Sequence, residues 1–338
     1  MAVAGCVATV QIVRAAVTTS YGPPDVVRVR EVDVPSVTED GLLVRVCATT
    51  VNRTDCGYRA ARPFFIRLFS GLTRPRAAVL GTEFAGVVED VGPRVRSFAV
   101  GDRVFGYVEG SFGAHGEYVA VPESGLVATI PEGVTFEQAA ASTEGGHYAL
   151  SFVKWAKVRR GHDVLVNGAT GAIGSAAVQL LKSLGANVTA VCASEHVQLV
   201  RSLGADRVID YTVEDFTRDA HRYEVVLDAV GKSSFGRCRR LLKPRGIYVS
   251  SDLGPLAQNP LLALITPLFR GRKVVFPIPI EDRQVIARIR EMLESGAFKP
   301  VIDRRYTLDQ IVQAYTYVET GQKIGNVIIS IDSSAQPN

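Results

Sequence analysis

Gly168, Gly171 and Gly174 stand three residues apart, and this spacing has the clearest chemical meaning in the sequence. A short apolar run, 164–166, leads into them, and a helix-patterned run, 175–184, follows. Glycines let a backbone turn tightly and approach phosphate oxygens, and the first turn of a helix offers free N–H groups and the positive end of its dipole. We therefore predict that this turn holds the pyrophosphate of a dinucleotide. The predicted contacts are Gly168, Ala169, Thr170, Gly171, Ala172, Ile173 and Gly174.

The elements around the glycine turn alternate between strand and helix patterns. The glycine spacing is weak evidence by itself, and this alternation makes it strong. The predicted strands are 163–167, 187–192, 207–210, 224–229, 246–251 and 273–276, and the predicted helices are 137–157, 172–184, 195–203 and 233–242. This order is typical of an α/β doubly wound parallel sheet, which binds ligands at the carboxyl ends of its strands.

The second predicted strand ends close to where the adenosine ribose of a dinucleotide would lie. Where the cofactor is NAD, an acidic residue at that strand end binds the ribose 2′-hydroxyl. The strand exit at Cys192–Ser194 carries no acid, and Ser194 can donate to a phosphate, although Glu195 follows closely. The exit therefore favours NADP(H), with NAD(H) as the possible alternative.

The chain before residue 137 has a different style from the sheet region. Residues 13–136 contain short alternating apolar runs between Gly, Pro and Asp turn signals, a pattern typical of a partly open barrel. Helix patterns at 281–295 and 308–319 and a strand pattern at 325–331 close the chain. We expect a discontinuous β-rich domain from 1–136 and 280–338 around a dinucleotide-binding domain at 137–279, with residues 1–12 as a short extension.

Composition bounds the class of protein. The chain has 338 residues and a net charge of +4, which fits two globular domains without a nucleic-acid footprint. Basic stretches at 59–76 and 237–245 are either solvated surface or the rim of an entrance for an anionic cofactor. The five cysteines are widely separated, no signal peptide is evident, and 261–269 is too short to span a bilayer, so we expect a soluble, cytoplasmic protein.

Several motifs together resemble the medium-chain dehydrogenase/reductase superfamily, and in particular its zinc-free quinone oxidoreductase branch. They are Val51-Asn-Arg-Thr-Asp55, Leu80-Gly-Thr-Glu-Phe-Ala-Gly86, Gly101-Asp-Arg-Val104, Ser202-Leu-Gly-Ala205, Leu227-Asp-Ala-Val-Gly231 and Lys299-Pro-Val-Ile302. The resemblance covers residues 13–331. It implies a GroES-like β-rich catalytic domain, a Rossmann dinucleotide-binding domain and a homodimer that pairs through the edge strand at 273–276.

The positions that match the zinc ligands of metal-dependent relatives are Asn52, Thr82 and Thr143, and none of these residue types is a good zinc ligand. No cysteine lies between Phe105 and Pro122, where such relatives carry a structural zinc lobe. Cys56 is interpreted as a small buried residue. The sequence therefore predicts an enzyme without zinc.

The resemblance also implies which residues surround the reaction. Asn52, Asp55, His147 and Tyr148 are the predicted catalytic residues, with His147 contacting the nicotinamide amide, the substrate carbonyl or neither, and Tyr148 packing under the cofactor. Gly57 stands where some relatives carry a tyrosine, so no proton donor is named. Further predicted cofactor contacts are Ser194, His196, Tyr211, Asp228, Gly231, Ser250 and Ser251.

The run 261–269 is open to three interpretations: the wall of an apolar substrate pocket, a packed helix or a partner surface. For the whole chain we predict an NADPH-dependent reductase of quinones or α,β-unsaturated carbonyls. The alternatives are a zinc-free alcohol or aldehyde oxidoreductase, and a weakly catalytic NADPH-binding protein that acts through partners. A screen of substrates separates them.

Overall fold

The computed structural model describes residues 12–108, 110–277 and 283–331, so the expected extension at 1–12 lies almost wholly outside the described residues. The strands are β1 Ile12–Val17, β2 Arg28–Asp33, β3 Gly41–Val51, β4 Glu83–Val91, β5 Arg103–Tyr107, β6 Tyr118–Pro122, β7 Leu126–Thr129, β8 Asp163–Asn167, β9 Asn187–Cys192, β10 Arg207–Asp210, β11 Tyr223–Asp228, β12 Leu242–Ser250, β13 Lys273–Val275, β14 Ile302–Thr307 and β15 Asn326–Ser330. The helices are α1 Arg53–Ala60, α2 Arg67–Ser70, α3 Phe136–Ala140, α4 Thr143–Ala156, α5 Ala172–Ser183, α6 Val197–Ser202, α7 Phe235–Cys238, α8 Gln258–Ile265, α9 Arg283–Glu294 and α10 Ile311–Glu319.

The described residues fall into two compact units. The β unit lies within Met1–Ile130, Arg304–Gln322 and Val327–Asn338, and the parallel-sheet unit lies within Pro131–Asp303 and Lys323–Asn326. The β unit is discontinuous, as expected. The chain returns to it near residue 304 rather than 280, because the buried face of α9, centred on Ile289, packs against Gly146 of α4.

The parallel-sheet unit is built on strands in the order β10-β9-β8-β11-β12-β13. All of the described pairings in this sheet are parallel. Its central strands are almost continuous runs of Val, Leu and Ile because both faces of such a sheet are covered. Leu165, Val191 and Val226 are buried in one core cluster. The predicted α/β doubly wound sheet is therefore confirmed, and it brings the carboxyl ends of β8, β9 and β11 to one edge.

The β unit contains an antiparallel sheet in the order β14-β15-β3-β4-β5-β7, with β6 also paired to β3. β1 and β2 pair separately. Leu42, Val44, Phe84 and Val104 fill its core. β3 is the longest of these strands, and its end at Val51 delivers the chain directly into α1. This junction carries the polar residues of the β unit considered below.

Three predicted helices differ from those in the structure. The expected helix at 137–157 is two helices, α3 and α4, because the hydroxyls of Ser142 and Thr143 donate to the carbonyls of Ala139 and Ala140 and compete with helical bonding. The expected helix at 195–203 begins as a 3-10 turn at Ser194–His196, and α7 is shorter than the predicted 233–242. None of the described helices is long and apolar enough to cross a bilayer.

The segment 261–269 forms the end of α8 and a 3-10 turn. Leu261, Leu264 and Leu268 are 57%, 76% and 80% exposed, so this side of the segment is not packed against the rest of the chain. The segment is held from its other side, where Thr266 accepts a hydrogen bond from the backbone N–H of Val274 at 2.9 Å. The segment is therefore a helix that packs through one side, where Leu262 and Ala263 contact the core cluster of the sheet, and exposes the other side.

Candidate functional site

The glycine turn joins β8 to α5 and is held from both sides. Gly168 has a φ of +80°, and Gly171 begins α5 in an extended conformation. The N–H of Ala169 donates to the carbonyl of Val191 at 3.1 Å, and the carbonyl of Thr170 accepts from Gly325 at 2.7 Å. The first N–H groups of α5 have no acceptor within their own helix. The turn is therefore a rigid backbone frame that presents donors.

Gly174 and Gly171 differ in how much space a Cβ atom would have. A Cβ on Gly174 would lie 2.0 Å from the carbonyl oxygen of Gly168 and 2.8 Å from its carbon. A Cβ on Gly171 would meet only that same oxygen, at 3.7 Å. Gly174 therefore allows α5 to approach the strand exit, whereas Gly171 leaves open space above the turn.

Asp228 organises the neighbouring loop, and its predicted contact with the cofactor stays a prediction. Its carboxylate is buried and accepts from the amide of Asn167 at 3.0 Å, the hydroxyl of Tyr248 at 2.9 Å and the N–H of Gly231 at 3.1 Å. Ser233 adds a fourth donor through its backbone N–H at 3.0 Å. These bonds fix the loop after β11 beside the end of β8. The predicted cofactor residue Gly231 therefore owes its position to Asp228.

The carboxyl ends of β9 and β10 bring Ser194 next to an acid. The Ser194 hydroxyl donates to the carboxylate of Asp210 and lies 2.8 Å from the hydroxyl of Thr212. The hydroxyl of Ser194, followed by that of Thr212, lowers the pKa of the Asp210 carboxyl below its usual value, so it is ionised at neutral pH. No acidic residue occurs within 192–194, but the carboxylate of Asp210 contacts the hydroxyl of Ser194 at this strand exit. Asp210 therefore places a negative charge beside Ser194, and the preference for NADP(H) over NAD(H) stays a prediction.

The remaining predicted cofactor residues occupy varied settings in the same unit. His196 lies with Nε2 3.1 Å from a carboxylate oxygen of Glu195, and Tyr211 is 58% exposed. Ser250 is fully buried at the end of β12, where its hydroxyl accepts from the N–H of Asp252 at 3.2 Å, and Ser251 follows it half-buried. Ser250 therefore shapes the strand end, while Tyr211 remains open to a ligand.

His147 and Tyr148 lie on α4, in the same unit as the glycine turn. His147 is buried and Tyr148 half-buried, and their ring centroids are 6.1 Å apart. One turn earlier, a Cβ on Gly145 would lie 2.7 Å from the carbonyl oxygen of Ala172, so α4 approaches the start of α5 closely. The structure thus brings the predicted catalytic segment of α4 beside the predicted pyrophosphate turn.

Asn52 and Asp55 form a reciprocal cap at the start of α1. The Asn52 side chain accepts from the N–H of Asp55 at 2.9 Å, and the Asp55 carboxylate accepts from the N–H of Asn52 at 3.1 Å. Asn52 also donates to the hydroxyl of Thr82 at 2.8 Å and to the carboxylate of Glu83 at 3.3 Å. Asn52 is 2% exposed and Asp55 fully buried. Their contacts are those of a positioning pair, so their predicted catalytic contact stays a prediction.

His115 lies beside this polar cluster, near Thr50 and Asp55. Its Nε2 lies 2.7 Å from the carbonyl oxygen of Thr50, so Nε2 carries the proton and Nδ1 accepts from the hydroxyl of Tyr315 at 3.3 Å. Nε2 also lies 3.8 Å from the Asp55 carboxylate. Burial is the main reason that the pKa of His115 falls to about 4. His115 is therefore neutral near pH 7.

Acid is expected to weaken the fold through His115. Its pKa is about 4 in the folded state against 6.5 for the free side chain, so the unfolded chain binds more protons between those values. Stability therefore falls as pH drops through this window, by about 3 kcal/mol in total. Urea unfolding from pH 7 to pH 4 should show a smaller pH dependence for His115→Gln than for the natural protein. Equal pH dependence of the two proteins would contradict this assignment.

Two further residues belong to α1: Cys56 is buried and Tyr58 is half-buried. Burial, and then the nearby Asp55, raises the pKa of the Cys56 thiol to about 12, so Cys56 is an inert buried thiol as expected. Tyr58 accepts a hydrogen bond from the N–H of Ala77 at 3.2 Å, and its ring lies 4.1 Å from that of Phe112. These contacts turn Tyr58 away from Asn52 and Asp55.

Thr82 and Thr143 stand at two of the positions that match zinc ligands in metal-dependent relatives. Thr82 contacts Asn52, and Thr143 is buried on α4 with its hydroxyl 3.2 Å from the carbonyl of Ala140. Across residues 12–108, 110–277 and 283–331, no group of three or more His, Cys, Asp and Glu side chains is arranged to hold a metal ion. This side-chain chemistry does not fit a catalytic zinc at these positions.

Residues from distant positions, not predicted from the sequence, join the polar groups within each of the two units. They are Asn167, Asp210, Thr212, Glu83, His115, Tyr248 and Tyr315. Asn167, Asp210 and Thr212 could have been found, because each follows or ends a predicted parallel strand and such ends meet at one edge. A single histidine in a glycine-rich loop gives no such signal.

Two family models match this chain. The alcohol dehydrogenase GroES-like domain matches residues 38–132, and the zinc-binding dehydrogenase model matches residues 203–329. The first match confirms the predicted GroES-like nature of the β unit. The second covers much of the parallel-sheet unit after the glycine turn.

Three curated relatives are similar over nearly the whole chain. The 2-methylene-furan-3-one reductase of Solanum lycopersicum is 32% identical over 92% of this chain and 77% of its own. The chloroplastic NADPH-dependent alkenal/one oxidoreductase of Arabidopsis thaliana is 31% identical, over 94% and 79%. The quinone oxidoreductase of Pseudomonas aeruginosa is 31% identical, over 92% and 97%.

Proposed function

Because the chain belongs to the medium-chain dehydrogenase/reductase superfamily, in its quinone oxidoreductase-like branch, it is an oxidoreductase with a pyridine nucleotide cofactor, and we propose that it reduces quinones or α,β-unsaturated carbonyl compounds with NADPH. One observation supports the cofactor half of this proposal. The start of α5 lies so close to Gly168 that a Cβ on Gly174 would come within 2.0 Å of its carbonyl oxygen, whereas the side of Gly171 is open, with only that oxygen within 4 Å of an added Cβ. That arrangement suits a pyrophosphate.

Bound NADPH would supply the hydride, and the residues of this chain would position it. Ala172, Ile173 and Gly174 would donate backbone N–H groups to the pyrophosphate. Asp228 would hold the loop at Gly231 in place along the cofactor. Hydride transfer requires the acceptor carbon to be held against the nicotinamide and donors to face the oxygen where negative charge develops.

We assign His147 and Tyr148 to the nicotinamide end of the cofactor. Their support is the close approach of α4 to the start of α5. Tyr148 is the more open of the two, which suits packing under the cofactor. We assign Asn52 and Asp55 to the substrate end as a positioning pair, supported by their shared contacts with Thr82 and Glu83.

NADPH oxidation by the purified protein tests the activity against a panel of quinones, enones, alkenals, alcohols and saturated aldehydes. We expect turnover of quinones or conjugated carbonyls and a loss of at least about tenfold in kcat/KM for His147→Ala. Turnover confined to alcohols and saturated aldehydes would favour the zinc-free alcohol oxidoreductase. Tight NADPH binding with no turnover across the panel would favour the weakly catalytic binding protein.

Asp210 is expected to limit the preference for NADPH over NADH. Its carboxylate contacts Ser194, so a 2′-phosphate bound at Ser194 would lie within a few ångströms of a like charge. Such repulsion costs on the order of 1 kcal/mol even in a watery setting, and more for a doubly charged phosphate. Asp210→Asn should therefore raise the NADPH/NADH ratio of kcat/KM by about tenfold.

Asp215→Asn is the matched control for this test. Asp215 accepts from the N–H and hydroxyl of Thr217 at 2.9 and 2.7 Å, and Asp210 accepts from Thr212 at 2.9 and 2.6 Å. The two acids share this local turn, but only Asp210 contacts Ser194. The Asp215 variant should keep the natural ratio, and an equal change in both variants would remove the role given to Asp210.

We further propose that the enzyme works without zinc. The residues Asn52, Thr82 and Thr143 at the matching positions support this, since amide and hydroxyl groups bind zinc poorly. Elemental analysis of the purified protein should find far less than one zinc per chain. One zinc per chain that survives dialysis would overturn the proposal. A homodimer through the edge strand β13 and a cytoplasmic location stay predictions.

A further inference from the structure

Five large apolar side chains of the β unit face outward from one short helical segment. Phe64, Phe65, Leu68, Phe69 and Leu72 are 75%, 47%, 66%, 74% and 68% exposed. They span the 3-10 turn Phe64–Ile66, helix α2 and the residue after Gly71. Gly71 ends α2, so Leu72 follows the helix, and the other four residues occupy two consecutive short helical turns. We call these five residues the aromatic face.

The opposite side of this segment is anchored to the β unit. The hydroxyl of Tyr21 lies 2.6 Å from that of Ser70 and donates to the carbonyl of Gly71 at 2.7 Å. The guanidinium of Arg67 joins this anchor to the aromatic face, because it lies over the ring of Tyr21 at 4.9 Å and over the ring of Phe64, a member of the face, at 5.0 Å from the centroids. Turning the aromatic face inward would break these contacts, so its exposure is a built feature of the fold.

The chain segment that carries the aromatic face has charge of one sign. No Asp or Glu occurs between Asp55 and Glu83, whereas Arg62, Arg74 and Arg76 in this stretch are exposed. The N–H of Arg76 donates to the carbonyl of Ser70 at 2.7 Å, so the chain folds back and places this arginine beside α2. The aromatic face is therefore bordered by positive charge.

We propose that the aromatic face docks the protein on bilayers that contain anionic phospholipids. Apolar side chains that project from a basic helical surface bury themselves in the headgroup region, and each nearby arginine adds attraction to anionic lipid. A contact between two copies of this face would set the same positive surface against itself, which opposes self-association. The proposal does not depend on the substrate of the enzyme.

Vesicle flotation of the purified full-length protein tests the proposal. We expect binding to vesicles of phosphatidylcholine mixed with phosphatidylglycerol, weak binding to phosphatidylcholine alone, and release at high salt. The Phe64→Ser/Phe69→Ser variant should lose at least about tenfold in partition coefficient. The Arg62→Gln/Arg74→Gln/Arg76→Gln variant should lose its preference for the anionic vesicles.

Leu264→Ser/Leu268→Ser is the control, because these leucines are as exposed as the aromatic face but lie in the parallel-sheet unit. It should float as the natural protein does, and thermal unfolding would verify that each variant is folded. No binding of the natural protein to anionic vesicles would overturn the proposal. An equal loss in the leucine control would also overturn it, as would a change of oligomeric state, rather than of vesicle binding, in the Phe64/Phe69 variant.

Discussion

Gly174→Ala is expected to destabilise the parallel-sheet unit by about 3 kcal/mol and to abolish tight NADPH binding. The new Cβ would lie 2.0 Å from the oxygen and 2.8 Å from the carbon of Gly168, and both are backbone atoms. Ala169 is tied to Val191 at 3.1 Å, so the turn cannot move aside cheaply. Urea unfolding and titration of NADPH fluorescence measure the two effects.

Gly171→Ala provides the matched control at the same turn. Its Cβ would meet only the oxygen of Gly168, at 3.7 Å, and its φ of −72° suits any residue. The free energy of unfolding should therefore change by less than about 1 kcal/mol. If both alanine variants lost stability equally, the close contact at Gly174 would not be the reason for its glycine.

Arg59→Ala is expected to cost about 4 kcal/mol of unfolding free energy. Arg59 is fully buried, with its guanidinium donating to the Glu319 carboxylate and to the carbonyl of Gly22 and lying 5.2 Å from the ring centroid of Tyr315. Its removal leaves a cavity and unpaired acceptors between α1 and α10. Denaturant unfolding of the purified variant measures the loss.

Arg14→Ala tests whether burial is the cause. Arg14 also pairs with an acid, Asp309, but the two side chains are 47% and 67% exposed. Exposed ion pairs contribute little, so this variant should change stability by less than about 1 kcal/mol. Similar losses for the two arginine variants would show that pairing alone, and not the buried setting, stabilises the β unit.

The polar network of the β unit extends this reasoning to the site. Asn52 hydrogen-bonds to four groups: the N–H and the carboxylate of Asp55, the hydroxyl of Thr82 and the carboxylate of Glu83. Each of these residues therefore helps to hold the others in place. Such networks are costly to break because any group left without a partner stays buried. Variants at Asn52 will therefore report on folding as well as on activity, and kcat/KM should be read beside the unfolding free energy.

The sequence by itself determined what depends on neighbours along the chain. The glycine spacing at 168–174, with a strand before it and a helix after it, located the turn and both of its elements correctly. The alternation of strand and helix predicted the parallel sheet, because each apolar run must be covered on both faces. The motif Asn52–Asp55 was singled out as a catalytic contact, which stays a prediction, and that it also caps α1 is seen only in the structure.

Only the tertiary structure decided which distant residues meet. Asp210 follows Ser194 by sixteen residues, yet their side chains touch because parallel strands end at one edge. Arg59 belongs to a basic stretch interpreted as solvated surface or a cofactor entrance, but it is buried against Glu319 from a helix 260 residues away. Arg62, Arg74 and Arg76 of that stretch stay exposed. Whether a charged residue at these positions is buried depends on packing between elements that are distant in the chain. The local sequence pattern does not indicate that packing.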